Sequence, residues 1–290
     1  MKPPPFEYSV AASVEEAVAL LAEHGDDAKV LAGGQSLLPL LALRLAHPAR
    51  LIDINPAAEL TMINDGAGLE LGAMVRHRSA ERSADVRREA PLVAEALGLV
   101  GHAAIRSRGT IGGSIAHADP AAELPAVLVA LDGSVVAVSR RGTRTVPAGD
   151  LFQGFLTTAL EPDELLTSIR LPPWPERTGW SFREFSRRSG DFAVVGVACV
   201  IGASGDGRVE RARLAYSGVA GTPVRATAAE ALLAGAEPSD ELWTQAAQQA
   251  AADLDPPADL HGTTAYRRHL ASVLARQALI EAWGRAKGAA

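Results

Sequence analysis

Two short glycine-rich segments of similar chemistry place the strongest constraint on this chain. Residues 32–36 and 110–114 each join paired glycines to a hydroxyl side chain. Glycine allows positive φ and lets the backbone approach a ligand closely. Successive free N–H groups at such a turn attract an anion, and a helix N-terminus adds partial positive charge. Together the two segments predict a two-sided clamp for a diphosphate; taken singly, each is also explained as a tight turn.

The first segment lies between a predicted strand and a predicted helix. A buried strand over 29–32 leads into it, and a helix over 37–45 follows. Ser13 and Glu16 form a capping box that starts an earlier helix ending at Gly25. Further strands are predicted over 51–54, 60–75, 134–139 and 164–171, and further helices over 78–86, 90–100 and 122–131.

The familiar nucleotide-binding motifs are missing from the sequence. There is no Walker A motif, and the nearest approach to a Rossmann fingerprint lies at 66–72. Its third glycine comes one place late, and no helix is predicted after it. A dinucleotide bound by this chain would therefore lie on a different fold.

Composition excludes several classes of protein. The chain has 290 residues, 48% apolar, with a net charge of −6, which favours about two globular domains and gives no electrostatic case for nucleic acid or anionic membrane. No apolar stretch approaches the ~18–20 residues of a spanning helix, and the N-terminus has no signal core. We therefore expect a cytoplasmic protein without a membrane span.

The single cysteine, Cys199, limits the metal chemistry of the chain. It lies in the apolar run 193–200, which predicts a buried, inert thiol. One thiol cannot ligate an iron–sulfur cluster alone. Basic residues between 76 and 88 alternate with Glu81, Asp85 and Glu89, which favours a solvated helix face over a docking patch.

A proline-rich connection at 172–175 divides the chain. After it, strands are predicted over 180–187, 192–201 and 209–217, and helices over 224–235, 239–253 and 263–284. The predicted fold class is α+β in two domains.

Four stretches of the chain resemble a known family. Residues 29–37 and 105–125 closely resemble the FAD-binding medium subunit of molybdenum hydroxylases, the xanthine dehydrogenase and aerobic carbon monoxide dehydrogenase family. Residues 182–193 and 221–226 match as well, so the resemblance covers nearly the whole chain. It implies an FAD-binding domain of the vanillyl-alcohol-oxidase (PCMH) type over 1–175, with α+β subdomains at about 1–58 and 59–175. A smaller α+β domain with a three-stranded sheet is expected over 176–290.

The resemblance also implies which residues bind FAD. Two groups match the segments whose backbone contacts the diphosphate: Lys29, Val30, Leu31, Ala32, Gly33, Gly34, Gln35, Ser36 and Leu37, and Thr110, Ile111, Gly112, Gly113 and Ser114. Residues expected near the ribityl chain or the flavin ring are His117, Asp119, Glu123, Leu160, Arg183 and Phe192.

Three of these positions depart from the pattern of the family. Arg183 stands where the family often has Lys, Glu123 where it often has Asp, and Phe192 where some members have Tyr. Without the motif, each of these residues has an ordinary structural explanation as a surface, capping or core residue. No catalytic residue and no metal ligand is assigned to this chain.

The resemblance implies a place in a larger complex. A large subunit would carry the molybdenum cofactor and a small subunit two [2Fe–2S] clusters, in a dimer of heterotrimers. Electrons would pass from the clusters to FAD in this chain and then to NAD+, oxygen or a quinone. The alternatives are a stand-alone FAD-dependent oxidase of the same fold and a non-catalytic nucleotide-binding assembly subunit.

Overall fold

The computed structural model describes residues 2–288 of the chain. The first subdomain is a three-stranded parallel sheet of order β1-β3-β2. Its elements are β1 (Glu7–Val10), α1 (Val14–His24), β2 (Ala28–Leu31), α2 (Leu37–Ala42) and β3 (Arg50–Asp53). Because parallel strands end at a common edge, residues 32–36 leave the sheet beside the end of β3.

Local sequence signals account for both helices of this subdomain. The Ser13 hydroxyl accepts a hydrogen bond from the backbone N–H of Glu16 at 3.1 Å, as the capping box predicts. The predicted second helix ends earlier than residue 45. Arg44, at φ +58°, has left the helical region, so α2 stops at Ala42.

The second subdomain is a five-stranded antiparallel sheet of order β4-β5-β10-β6-β7, with helices packed on it. The strands of this sheet are β4 (Ile63–Gly66), β5 (Gly68–Gly72), β6 (Ser134–Ser139), β7 (Gly142–Pro147) and β10 (Leu165–Leu171). A separate two-stranded sheet contains β8 (Phe152–Gly154) and β9 (Thr157–Thr158). The helices of the second subdomain are α3 (His77–Arg82), α4 (Ala84–Glu89), α5 (Pro91–Leu97), α6 (Ala103–Arg108), α7 (Ile111–His117), α8 (Glu123–Ala130) and α9 (Ala148–Leu151).

One helix prediction in this subdomain needs correction, and the second glycine segment is helical where no helix was predicted. The predicted helix over 78–86 is two helices, because Ser83 adopts an extended conformation and its hydroxyl caps α4. The second glycine segment lies in the first turn of α7, which Thr110 caps through its side chain.

The C-terminal domain is an antiparallel sheet with one helical face. Its elements are β11 (Thr178–Phe185), β12 (Val195–Ala203), β13 (Val209–Ser217), β14 (Val224–Arg225), α10 (Thr227–Leu233), α11 (Asp240–Ala252) and α12 (Thr264–Ala286). The three predicted long strands are present, and a two-residue strand, β14, extends the sheet. Since Val224 and Arg225 pair with β13, α10 begins at Thr227 and not at 224. The predicted two-domain α+β architecture is confirmed.

The two faces of this sheet pack against different partners. One face packs on α11 and α12 and forms the core of the C-terminal domain. The other carries Phe182, Ala198 and Ala215, which belong to the same core cluster as Leu124 and Val127 of α8. The domains therefore share a continuous apolar interface. Within residues 2–288, no helix is long and apolar enough to cross a membrane.

Candidate functional site

The fold brings the two glycine segments together. A Cβ on Gly33 would collide with the carbonyl oxygen of Arg108 and lie 2.9 Å from the Cα of Gly109. A Cβ on Gly113 would lie 3.7 Å from the Cβ of Ala32. At Gly33 only a residue without a side chain allows so close an approach to the backbone of residues 108 and 109. The segments thus form one site, although they are distant in sequence.

The first segment presents unpaired backbone donors. In the part of the chain that the structure describes, the N–H groups of Gly33, Gly34, Gln35 and Ser36 have no hydrogen-bond acceptor. Gly34 has φ +74°, the left-handed conformation that a turn of this kind needs. Consecutive free amides in such a turn form a concave anion-binding site. This loop therefore has the donor set that a phosphate group requires.

The second segment is built differently from the expected clamp. The N–H of Ile111 donates to the Val75 carbonyl at 3.0 Å, and that of Gly112 donates to the Ala73 carbonyl at 2.9 Å. The N–H groups of Gly113 and Ser114 both donate to Thr110. These four amides donate within the protein, so they are not free donors like those of residues 33–36.

A polar cavity of about 440 Å³ lies beside the first segment. Its lining residues are Tyr8, Leu31, Ala32, Gly33, Gly34, Leu38, Asp53, Asn55, Arg76 and Arg108. The two arginines supply positive charge next to the free amides of the loop. Tyr8 donates a hydrogen bond to Asp53, which also accepts one from the backbone N–H of Asn55 at 2.8 Å.

Asn55 and Arg76 hold the cavity wall in place. The Asn55 side-chain amide donates to the Ala32 carbonyl at 2.9 Å, and Arg76 donates to the Asn55 side-chain oxygen at 2.6 Å. Arg76 also donates to the carbonyl of Arg108. One chain of hydrogen bonds therefore joins the two subdomains at the glycine loops.

His77 lies behind the second glycine segment. Its side chain is 4% exposed, and Nε2 lies 2.8 Å from the Thr110 carbonyl oxygen. Burial lowers the pKa of His77 to about 4, so the ring is neutral at neutral pH. Arg76 and His77 are thus part of the site, and the predicted solvated helix face is wrong at these two positions.

Three predicted residues gather at the end of α7 and the start of α8. His117 ends α7 and Glu123 begins α8, with Asp119 in the short connection between them. Burial lowers the pKa of His117 and raises that of Glu123 to about 7, and the Asp119 charge adds to the rise at Glu123. Glu123 is 6% exposed. This end of the site therefore contains a carboxyl group, that of Glu123, whose pKa lies near neutral pH.

Arg183 does not join this group. Its guanidinium pairs with Glu281 of α12 at 2.7 Å, on the face of β11 directed away from the FAD-type half of the molecule. Side chains alternate along a strand, so the neighbouring Glu184 shares its face with Phe182 and points toward α8. Arg183 and Glu184 therefore lie on opposite faces of β11, and Glu184 is the one on the face of Phe182.

Glu184 has an unsatisfied carboxyl oxygen. Its Oε2 is buried without a hydrogen-bond partner among residues 2–288. Burial raises the pKa of Glu184 to about 8, and the Glu123 charge adds to the rise. Ser217 lies two strands away on the same row of the sheet, and its buried hydroxyl also has no partner. Sequence analysis singled out neither residue.

The remaining predicted residues lie at the margin of this region. Phe192 is 64% exposed in the loop between β11 and β12, and Leu160 is half-buried after β9 against the core of the second subdomain. An exposed aromatic side chain is suited to stacking on a planar ligand. Within residues 2–288 no cluster of His, Cys, Asp or Glu has the arrangement of a metal site.

Models of two protein families match the chain. Residues 4–174 match "FAD binding domain in molybdopterin dehydrogenase", and residues 180–282 match "CO dehydrogenase flavoprotein C-terminal domain". The unpaired amides of residues 33–36 and the unpartnered Glu184 and Ser217 atoms fit a large polar ligand such as a dinucleotide.

Curated relatives match over nearly their full length. The chain is 41% identical to the 6-hydroxypseudooxynicotine dehydrogenase complex subunit alpha of Paenarthrobacter nicotinovorans, covering 99% of this chain and 97% of that one. It is also 41% identical to the carbon monoxide dehydrogenase medium chain of Hydrogenophaga pseudoflava, covering 98% and 99%. The chain also superimposes on a solved structure of carbon monoxide dehydrogenase from H. pseudoflava, with a TM-score of 0.96 at 43% identity. The match covers 98% of this chain and 99% of that chain, and that enzyme is described as lacking the Mo-pyranopterin moiety of the molybdenum cofactor.

Proposed function

Because the chain belongs to the FAD-binding medium subunits of the molybdenum hydroxylases, we propose that it is the electron outlet of such a complex. The protein is a subunit of an oxidoreductase and carries an FAD-binding domain. In the proposed role it receives electrons from [2Fe–2S] clusters of a partner subunit and passes them to an external acceptor. FAD supplies the chemistry when bound, since it exchanges one or two electrons.

The observation that carries this proposal is the set of four unpaired amides from Gly33 to Ser36, beside a cavity with two arginines. We place the FAD diphosphate there, with Arg76 and Arg108 adding positive charge. The boundary between the two domains is placed at 175/176, in the proline-rich connection between β10 and β11.

The second end of FAD would lie at the domain interface. The seven residues of α7 lead from the glycine segments to Asp119 and Glu123, a rise of about 10 Å. In FAD the ribityl chain joins the central diphosphate to the flavin ring, and this separation leaves room for that chain. His117, Glu123, Glu184 and Phe192 would then surround the ring, and the apolar interface would exclude water from it.

The substrate chemistry would belong to a partner. The names of the two relatives above refer to different substrates, yet each relative is 41% identical to this chain. The single cysteine of the chain, Cys199, is wholly buried. We therefore assign the molybdenum cofactor to a large subunit and the iron–sulfur clusters to a small subunit. The proposed complex is a dimer of heterotrimers in the cytoplasm. Its electron acceptor would be NAD+, oxygen or a quinone.

Purification of the tagged chain from its native source tests this function. We expect flavin absorption, co-purification of two further subunits, and molybdenum and iron in the complex. Reduction of the complex by its substrate should bleach the flavin, whereas the isolated chain with FAD should oxidise no organic substrate. A chain that purifies alone and oxidises an organic compound would be a stand-alone oxidase, and a folded chain that binds no FAD would refute both functions.

A further inference from the structure

The loop between β11 and β12 carries Phe192 and is fixed at its base by the C-terminal domain. The N–H of Val194 donates to the carbonyl of Phe185 at 2.7 Å and closes the base. The guanidinium of Arg267, on α12, donates to the Val194 carbonyl. The Phe185 ring packs edge-on against Tyr266 of the same helix, with ring centroids 6.3 Å apart. Both ends of the loop are therefore held by α12.

The loop is also folded on itself. The N–H of Asp191 donates to the Arg188 carbonyl at 3.1 Å, and the Arg188 side chain donates to the Asp191 carboxylate at 2.9 Å. The Ser186 hydroxyl donates to the same Arg188 carbonyl at 3.0 Å. These bonds close a compact turn in which Gly190 adopts φ +83°. A displacement of Gly190 would therefore be transmitted to the neighbouring positions of the loop.

The tip of the loop contacts the FAD-binding domain through His102. A Cβ on Gly190 would lie 2.6 Å from Nδ1 and 2.9 Å from Nε2 of the His102 ring. The imidazole thus lies directly against the backbone of Gly190, and only a residue without a side chain allows this contact. A histidine of one domain therefore meets a glycine of the other.

The His102 side chain has no role in starting its own helix. His102 occupies the N-cap position of α6, where Ser, Thr, Asp or Asn usually accepts a hydrogen bond from the first turn. Within the described chain, the His102 side chain forms no capping hydrogen bond, and no residue of α6 is buried. The ring is directed to Gly190 instead. The contact with the loop is therefore the feature that explains the orientation of this side chain.

Phe192 lies between the two anchored positions. It comes two residues after Gly190 and two residues before Val194. Two residues of extended chain span only about 7 Å, so the backbone of Phe192 stays in place while both neighbours are held. Its side chain is 64% exposed. Ordering an exposed side chain against a ligand costs conformational entropy, and a fixed backbone lowers that cost.

We infer that His102 is a positioning residue, which holds the tip of the β11–β12 loop from the FAD-binding domain and thereby presents the Phe192 ring to the flavin. The place of the flavin ring rests on the proposed function, whereas the contact between His102 and Gly190 does not depend on it. Because the loop belongs to one domain and its anchor to the other, the position of Phe192 depends on how the domains are joined.

Limited trypsin digestion of the full chain tests the anchor without FAD. Arg187 and Arg188 are exposed and adjacent in the loop, so cleavage there, identified by fragment mass, reports how freely the loop opens. We expect His102→Ala to be cut there about fivefold faster than the wild type, because a loop held only at its base opens more often. His102→Phe keeps a flat ring against Gly190 and should be cut at the wild-type rate.

Matched variants separate the anchor from backbone strain. Gly190→Ala displaces the His102 ring and should be cut in the loop as fast as His102→Ala. Gly207→Ala has the same strain, at φ +82°, but nothing lies within 4 Å of a Cβ there. His269→Ala removes an exposed histidine of α12. Both of these controls should be cut at the wild-type rate, and a wild-type rate for His102→Ala and Gly190→Ala would overturn the anchor.

A tryptophan in place of Phe192 tests the presentation of the ring. An indole that stacks on the flavin quenches its fluorescence, and the exposed position has room for the larger side chain. After removal of free FAD, flavin bound to Phe192→Trp should be darker than flavin bound to the wild type. Adding His102→Ala should raise the fluorescence of bound flavin about fivefold, since the stacked arrangement is no longer favoured.

The outcomes are distinguishable. Faster loop cleavage in His102→Ala together with unchanged flavin fluorescence in the Phe192→Trp background would overturn the positioning role, as would a Phe192→Trp protein whose bound flavin is as bright as that of the wild type. A wild type that binds no FAD would instead overturn the proposed function, and the cleavage rates would still decide whether His102 anchors the loop.

Discussion

The carboxylate of Glu95, on α5 of the FAD-binding domain, accepts a hydrogen bond from Nε1 of Trp180, on β11 of the C-terminal domain, at 3.0 Å. Its other oxygen accepts from the backbone N–H of Phe182 at 2.8 Å. Arg285 of α12 donates to the same carboxylate at 2.6 Å and lies over the Trp180 ring. One glutamate thus holds two elements of the other domain.

Replacement of Glu95 by Ala should loosen this interface. The variant leaves the Trp180 and Phe182 N–H groups without an acceptor, and we expect the free energy of unfolding to fall by about 2 kcal/mol. Urea unfolding followed by tryptophan fluorescence measures it. Glu89→Ala, which removes only an exposed pairing with Arg88, should change stability by less than about 0.5 kcal/mol. Equal stability of the two variants would show that Glu95 does not hold the domains together.

Gly112 should tolerate no side chain. A Cβ there would lie 2.5 Å from the Cβ of Ala73 and 2.7 Å from its Cα, so α7 would have to move away from β5. We expect Gly112→Ala to lower the free energy of unfolding by about 1–3 kcal/mol. Gly149→Ala is the control, because nothing lies within 4 Å of a Cβ at that helical position. Denaturant titration of both proteins decides the matter, and a fully stable Gly112→Ala would contradict the described packing.

Gly34→Ala should weaken FAD binding more than it weakens the fold. Residue 34 has φ +74°, and the new Cβ would lie 3.1 Å from the side chain of Leu38. The loop that carries the free amides must therefore shift. We expect the Kd for FAD to rise about tenfold, a loss equivalent to about one hydrogen bond to a charged group. Gly235→Ala has the same backbone strain, at φ +76°, in open space.

Comparing the two glycine variants separates strain from binding. Both should lose about 1–2 kcal/mol of stability because each places a side chain in the left-handed region. Flavin fluorescence titration should show wild-type affinity for Gly235→Ala only. Were Gly34→Ala to bind FAD as tightly, the diphosphate would not lie on this loop.

His77 should make stability depend on pH. Burial holds its folded pKa at about 4, below the unfolded value of 6.5. The unfolded chain therefore binds a proton first, so the stability due to neutral His77 is complete above pH 6.5 and is lost as the pH falls toward 4. Between neutral pH and about pH 5 the loss amounts to about 2 kcal/mol.

Urea unfolding of His77→Asn at both pH values isolates this contribution. The variant should be less stable than the wild type at neutral pH, and the difference should shrink by about 2 kcal/mol at about pH 5. His47→Asn, at an exposed position, should keep the wild-type slope. A parallel decline in His77→Asn and the wild type would exclude His77 as the source.

Much of the architecture could be predicted from the sequence because local signals determine it. Three such signals each depend on residues close together in the sequence: the capping box at Ser13, the apolar spacing of the last helix and the proline-rich connection at 172–175. The proximity of the two glycine segments was predicted from their shared chemistry, and the structure places them in contact.

Contacts between distant elements explain what the sequence did not predict. The amides of the second glycine segment look free in sequence, but the carbonyls of Ala73 and Val75 occupy two of them in the fold. The position of Ser217 opposite Gly196 depends on strand register, which only the folded sheet defines.

Glu184 is a different case, because the sequence contains its signal. Trp180 and Phe182 alternate with polar neighbours, and this alternation places Glu184 on their buried face and Arg183 on the other. The period of two along β11 therefore distinguishes the face of Glu184 from that of Arg183.

The burial of Cys199 offers a practical route to the partner complex. It is the only cysteine of the chain, it lies wholly inside the C-terminal core, and burial raises the pKa of its thiol. Maleimide reagents should leave it untouched in the folded protein. A cysteine introduced at any chosen surface position would consequently be labelled alone, so that spin labels or fluorophores could map, site by site, which faces of this subunit become covered when the complex assembles.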